Sequence, residues 1–233
     1  MLLGPFAFVT RRIEYKHLRC AKNKTYYELK LSFFQLFLCL CKLNINSIGI
    51  SKVFNLQNAL DENAVNDICA ENTKGFIAPA NYNCPGQIVI SGERIALEEI
   101  TENLKARGAK RVIELNTAGP FHTKMLKDAS IKLREQLEDI TINSSKNVVI
   151  KNIDGKAYKD SEDVKDILSK HITNPVRFED GIKEMIDMGI DTFVEIGPGK
   201  TLSGFVKKIN KDVKVVNINN SESLKLALEE LSI

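Results

Sequence analysis

No two of the five cysteines stand at Cys-x-x-Cys spacing, and none is spaced with His17, His122 or His171 as a zinc site requires, so no metal is expected and reduced cytoplasmic thiols are the reading. Long apolar runs are missing too. The stretch from Leu31 to Cys41 is too short to cross a bilayer, and it starts too far from Met1 for an ordinary signal peptide. A phosphate loop is likewise absent. Gly199-Lys200-Thr201 stands between a strand-like and a helical run, but the glycine needed five positions earlier is Val194, inside the strand. The following strand ends Val216-Asn217-Ile218 without a metal-binding acid. The stretch reads as a tight strand-to-helix turn that uses glycine's freedom.

What is present divides into two compositions. Residues 1–55 carry a net charge of +7, three of the cysteines and nine of the sixteen Phe and Tyr, whereas residues 56–233 carry −4. The first segment has neither helical nor alternating periodicity and stays unassigned, an atypical leader that is either foreign or a genuine basic, aromatic extension that docks on a partner. Its basic residues are scattered among apolar ones and form no stripe, so nucleic acid is not expected as a partner.

From Asp61 the pattern becomes regular. Asp61 caps a helix with Ala64, Val65, Ile68 and Cys69 on one face, and extended residues Phe76–Asn83 lead through a turn at Cys84-Pro85-Gly86 to a strand, Gln87–Ser91. A helix from Arg94 to Arg107 buries Leu97, Ile100 and Leu104 and stops at Gly108 before a strand, Arg111–Leu115. With Lys52–Asn55 as a first strand, this is a split βαβ, ferredoxin-like unit reaching residue 116.

His122 follows, at a strand-to-helix turn, Thr117-Ala118-Gly119-Pro120-Phe121-His122-Thr123. The next helix carries Leu126, Ala129, Leu133 and Leu137, and a strand is expected at Val148-Val149-Ile150. Ser161 is expected to cap a helix bearing Val164, Ile167, Leu168 and His171, which makes His171 a helix-face residue rather than a catalyst. Asn174-Pro175-Val176-Arg177-Phe178 breaks that helix and starts another. A strand at Thr192–Ile196, a helix, a strand at Val213–Ile218 and a helix from Ser221 to Leu231 close an α/β layer with a mainly parallel sheet.

Four stretches carry a resemblance: Asn81-Tyr82-Asn83-Cys84-Pro85-Gly86-Gln87, Gly119-Pro120-Phe121-His122, Asn174-Pro175-Val176-Arg177-Phe178 and Glu195-Ile196-Gly197-Pro198-Gly199-Lys200. In this order and spacing, residues 57–233 resemble the malonyl-CoA:acyl carrier protein transacylases of bacterial fatty acid synthesis. The resemblance implies an α/β-hydrolase-like acyltransferase layer, incomplete here, into which the ferredoxin-like subdomain of residues 56–116 is inserted, residues 117–233 being the C-terminal part of the layer.

It also implies a ping-pong chemistry in which a serine takes malonyl from coenzyme A and passes it to the phosphopantetheine thiol of acyl carrier protein. Malonyl-CoA and the carrier are then the partners, in the cytoplasm, with no cofactor and no membrane. His122 would be the base that activates the serine and returns the proton to the leaving thiol. Phe121, Asn81 and Asn83 would line the substrate cleft, and the backbone of Arg177 would orient the histidine. The family's Gly-His-Ser-x-Gly elbow has no counterpart, since no Gly-x-Ser-x-Gly occurs and Ser51, Ser91 and Ser203 stand in other contexts. The chain then reads as the C-terminal portion of a transacylase, inactive alone. The alternative is a module without chemistry that holds an acidic carrier protein on Arg107, Lys110, Arg111, Lys124 and Lys127, or a complementing fragment.

Overall fold

The computed structural model describes residues 8–11, 51–57, 60–116 and 119–231. Most of the atypical segment 1–55, and Thr117 and Ala118 of the histidine turn, lie outside the described residues. Two compact units are present: one ends at Gly181, and the other contains residues 182–231 with strand β1, Phe8–Arg11. This break does not coincide with the motif-based division at residue 116.

The first unit opens with β2 (Ser51–Gln57), α1 (Glu62–Glu71), β3 (Ile77–Cys84), β4 (Gln87–Glu93), α2 (Arg94–Ala106) and β5 (Arg111–Glu114). Strand β2 is thus longer at both ends than the expected Lys52–Asn55. The sheet runs in the order β5-β2-β4-β3-β6, antiparallel across the first four strands, and β6 (Val176–Arg177) is added parallel to β3. Alternation along β2 sends Phe54 and Leu56 to the helices, where they meet Val65, Ile68, Leu97, Ile100 and Leu104. Each such side chain, fully buried, contributes about 2 kcal/mol. The opposite face holds a smaller cluster of Val53, Ala80 and Val89.

Helices α1 and α2 are bounded as their sequences dictate. The Asp61 carboxylate accepts the Ala64 N–H at 2.8 Å and satisfies one of the N-terminal donors of α1. Gly108, at φ 110°, closes α2, and the Ala109 N–H reaches back to the Leu104 carbonyl at 2.9 Å.

Beyond β5, a single 3₁₀ turn (Lys124–Leu126) leads into α3 (Lys127–Leu137), which packs on α4 (Val164–Lys170). Leu133, Leu137 and Ile167 are buried, and the Ser130 hydroxyl donates to the Ser169 carbonyl at 2.7 Å. Two expectations are corrected here. Val148-Val149-Ile150 is not a strand: among the described residues no neighbouring strand accepts it, Val148 and Val149 are exposed, and an isolated bridge joins Ile150 to Ala157. The cap of α4 is Asp163, whose carboxylate accepts the Asp166 N–H at 3.0 Å, rather than Ser161, which lies too far out along the chain.

Helix α5 (Phe178–Asp187) begins at the end of the first unit. In the second unit, β7 (Thr192–Ile196) pairs antiparallel with β1 and parallel with β8 (Lys214–Ile218), with α6 (Thr201–Ile209) and α7 (Ser221–Glu230) as its helices. Glu195 settles what the Gly-Pro-Gly-Lys turn does. Its carboxylate, 2% exposed, accepts the Leu202 N–H at 3.2 Å, the Ser203 N–H at 2.8 Å and the Ser203 hydroxyl at 2.5 Å. The donors at the start of α6 that a phosphate would need are already taken by the chain's own carboxylate. Among the described residues no helix is long and apolar enough to cross a membrane.

Candidate active site

His122 is the one non-glycine residue among the described ones at positive φ, 60°. Left-handed backbone costs an L-residue about 1 kcal/mol or more, and it persists only where the surroundings enforce it. They do so here: the Phe121 N–H closes on the Gly119 carbonyl at 3.0 Å, the Thr123 hydroxyl on the Pro120 carbonyl at 2.7 Å, and the Leu126 N–H on the Thr123 carbonyl at 3.1 Å. Pro120 and Thr123 are fully buried and Phe121 is buried beside them. The turn is a rigid mount for one imidazole.

Nδ1 of that imidazole stands 2.9 Å from the carbonyl oxygen of His171. A carbonyl only accepts, so Nδ1 carries the proton and the neutral ring keeps its lone pair at Nε2. Burial lowers the His122 pKa below its ordinary value of 6.5, and the carbonyls of His171 and Asn174 pull it partly back. The ring is therefore neutral at neutral pH, in the tautomer that presents a base. The expectation that Arg177 supplies this carbonyl is corrected: the oxygens at the ring belong to His171 and Asn174. The position is accounted for by the helix, because His171 is the C-cap of α4 and carries one of the carbonyls that a helix end leaves without an intrahelical donor. A main-chain role of this kind leaves no trace in residue type.

Arg177 acts through its side chain instead. Its guanidinium contacts Glu62 at 2.6 and 3.1 Å and Asp180 at 2.5 Å, and it stacks 4.4 Å over the Tyr82 ring. This ties α1, β3 and α5 around the segment from Asn174 to Arg177. Along the same segment Val176 pairs with Asn81, so β3 brings Asn81 next to the strand that follows Asn174. Asn83 is 3% exposed, and its Oδ1 has no hydrogen-bond partner in the structure. An orphaned buried carbonyl of this kind costs about 1–3 kcal/mol and suits a ligand N–H.

A separate open depression of about 380 Å³ is lined by Ser51, Lys52, Arg94, Glu114, Leu115 and Asn116. None of these residues belongs to the histidine site. Lys52 there is neutralised by Glu98 at 3.4 Å and Glu114 at 3.0 Å. Among the described residues no cluster of His, Cys, Asp and Glu could hold a metal ion.

The His171 ring has its own task. Its Nε2 accepts the Asn152 N–H at 3.1 Å, and its pKa is pushed down from 6.5 to about 4, by burial first and by the neighbouring His122 second. A depressed histidine pKa means that, between about pH 6.5 and 4, the unfolded chain binds a proton that the folded chain refuses. Stability is thus fully present above that window and is lost as pH falls through it. We expect about 2 kcal/mol of acid destabilisation from this ring between pH 7 and 5, and H171Q, which still accepts a hydrogen bond and never charges, to remove it. Urea titrations of both proteins at the two pH values check this; equal acid sensitivity would rule the assignment out.

A family model described as the acyl transferase domain matches residues 53–224. The malonyl CoA-acyl carrier protein transacylase of Bacillus subtilis is 43% identical over 152 residues, which cover 65% of this chain and 48% of that protein. The transacylase of the same name from Staphylococcus aureus is 39% identical over 168 residues, 71% of this chain and 54% of that protein. Among solved structures, the malonyl CoA-acyl carrier protein transacylase of Clostridium perfringens superposes with a TM-score of 0.83 at 38% identity, covering 88% of this chain and 65% of that one. A type II PKS acyl-carrier protein in complex with its malonyl-transacylase gives 0.81 at 30% identity, with 88% and 66% covered. The chain spans about half the length of the curated relatives it matches. Three quarters of its residues fall under the one family model, and the chain belongs to the acyl transferase domain family.

Proposed function

We propose that this protein provides the histidine half of a malonyl transferase, moving malonyl from coenzyme A to the phosphopantetheine thiol of acyl carrier protein in fatty acid biosynthesis. The observation that carries the reading is His122, held at φ 60° with Nδ1 on a carbonyl and Nε2 left to act as a base. In the proposed cycle Nε2 takes the proton of a serine hydroxyl as its oxygen attacks the malonyl thioester carbonyl. The imidazolium then gives that proton to the departing coenzyme A thiolate. In the second half-reaction Nε2 takes the carrier thiol's proton and returns it to the serine oxygen, so protons balance over the cycle.

The serine has no candidate in this sequence, so in our reading it comes from a segment bearing the nucleophile elbow, and the chain by itself is inactive. Phe121 and Asn81 line the acyl and pantetheine cleft, and Asn83 offers its orphaned oxygen to an amide N–H there. The sheet β5-β2-β4-β3 with α1 and α2 is, on this reading, the ferredoxin-like subdomain inserted in an incomplete α/β-hydrolase-like layer. A cytoplasmic enzyme with no cofactor follows from the same assignment.

The binding-module alternative draws less support. Arg107 is engaged by Glu71 at 2.5 Å and the Lys124 ammonium lies 4.4 Å over the Phe76 ring, so two of its five cations are already occupied. The test is complementation. Purified chain is mixed with the N-terminal half of the Bacillus subtilis relative and assayed, by the mass of the carrier, for malonyl transfer. Transfer that needs both pieces supports the reading; a tight complex that stays inert sinks it.

A further inference from the structure

Asn152 fastens both ends of the segment that orients His122. Its N–H donates to Nε2 of His171 at 3.1 Å, and its carbonyl accepts the Arg177 N–H at 2.7 Å. Between these two points lie the His171 and Asn174 carbonyls that face the imidazole. The residue just before Asn152 is Lys151, whose side chain is 4% exposed. Its ammonium bonds Glu162 at 2.6 Å and Asp154 at 3.0 Å and lies 5.8 Å from the centre of the Tyr158 ring. Its main chain is pinned as well, the N–H to the Lys156 carbonyl at 2.8 Å and the carbonyl by the Gly155 N–H at 3.0 Å.

A lysine buried this deeply persists only when paired, and here it is paired with two carboxylates from one loop. No step of the proposed cycle uses that loop, and both of its carboxylates are engaged by the Lys151 ammonium. Their effect is to hold the Lys151–Asn152 peptide still. Resting on the reading of His122 as the proton carrier, we infer that Lys151 is a positioning residue for His122, acting through Asn152 and the His171 carbonyl. The chain of cause runs from the Asp154–Lys151–Glu162 clamp to the Asn152 N–H, to the His171 ring, to the His171 carbonyl and so to Nδ1 of His122. Loosening the clamp lets the His171 carbonyl leave Nδ1; the Asn174 carbonyl alone then remains at the ring, and the Nε2–H tautomer that free histidine prefers becomes populated.

The experiment is ¹⁵N NMR of the imidazoles in the full chain, labelled on its three histidines. In the parent protein His122 should be in the Nδ1–H form. In K151M it should become a mixture with a clear Nε2–H component, while far-ultraviolet circular dichroism stays that of a folded chain. E162Q, which weakens the clamp without emptying it, should move His122 in the same direction by less. A lysine that only stabilised its loop would change the melting temperature and leave the tautomer alone. Folded K151M with His122 still wholly Nδ1–H overturns the inference; where K151M does not fold, an unchanged tautomer in E162Q overturns it instead. The functional reading fails separately, through an active enzyme lacking His122, and that result would leave the tautomer shift standing.

Discussion

In the enzyme reconstituted with its nucleophile-bearing half, H122N lowers kcat/KM for malonyl transfer by about 10²–10⁴-fold, the range a positioned general base contributes. Asparagine is the informative substitution because it tolerates the left-handed backbone of this position, φ 60°, far better than alanine does. The turn then survives, and the loss reports chemistry rather than folding. The pH profile gives a second handle. His122 works as a base only when neutral, and burial holds its pKa below 6.5, so the acid limb of kcat/KM should fall below that value, with a plateau extending through neutral pH. The limb should be absent from whatever residual rate H122N retains. Parent-like kinetics in H122N would remove His122 from the mechanism.

Which parts of this site could be read from residue order follows from what each part is made of. The turn at Gly119–Thr123, the cap at Asp61 and the buried face of Leu97, Ile100 and Leu104 rest on local chemistry and periodicity, and all were legible. The His171 carbonyl was not, because any residue type can supply a carbonyl and its aim is set in three dimensions, at the end of α4. Strand β1 escaped for a different reason: its partner β7 lies near the far end of the sequence, and the segment around it has no periodicity. At Val148-Val149-Ile150 β-branched residues mimicked a strand, but strand propensity reflects packing on a neighbour, and among the described residues none pairs there beyond an isolated bridge. Lys151 carries no signal in the residue order. Its burial between Asp154 and Glu162 depends on contacts three and eleven residues on, and no pattern in the sequence distinguishes these from solvated ion pairs.

Two glycine-to-alanine changes should act in opposite directions, and the contrast tests the packing that carries Asn81 and Asn83. Gly92 lies in β4, between β2 and β3, opposite Ile77. A Cβ there would run into the Phe76 carbonyl oxygen and come within 2.7 Å of the Ile77 Cα. Both are main-chain atoms, so no side-chain rotation relieves the clash; β3 must move away from β4, and with it goes the pairing that builds the first unit's core. We expect G92A to cost about 3 kcal/mol or more, at the upper end for overpacking, and to lower Tm by about 10 °C. Gly204, inside α6, has only open space within 4 Å of where an alanine methyl would stand, so its sole effect there is the backbone entropy that glycine loses in a helix. G204A should raise stability by about 0.5–1 kcal/mol. Thermal melts of the two single variants are the measurement. A parent-like melt for G92A would mean that β3 and β4 do not approach as closely at Phe76 as described, and it would remove the support for placing Asn81 beside the segment that orients His122.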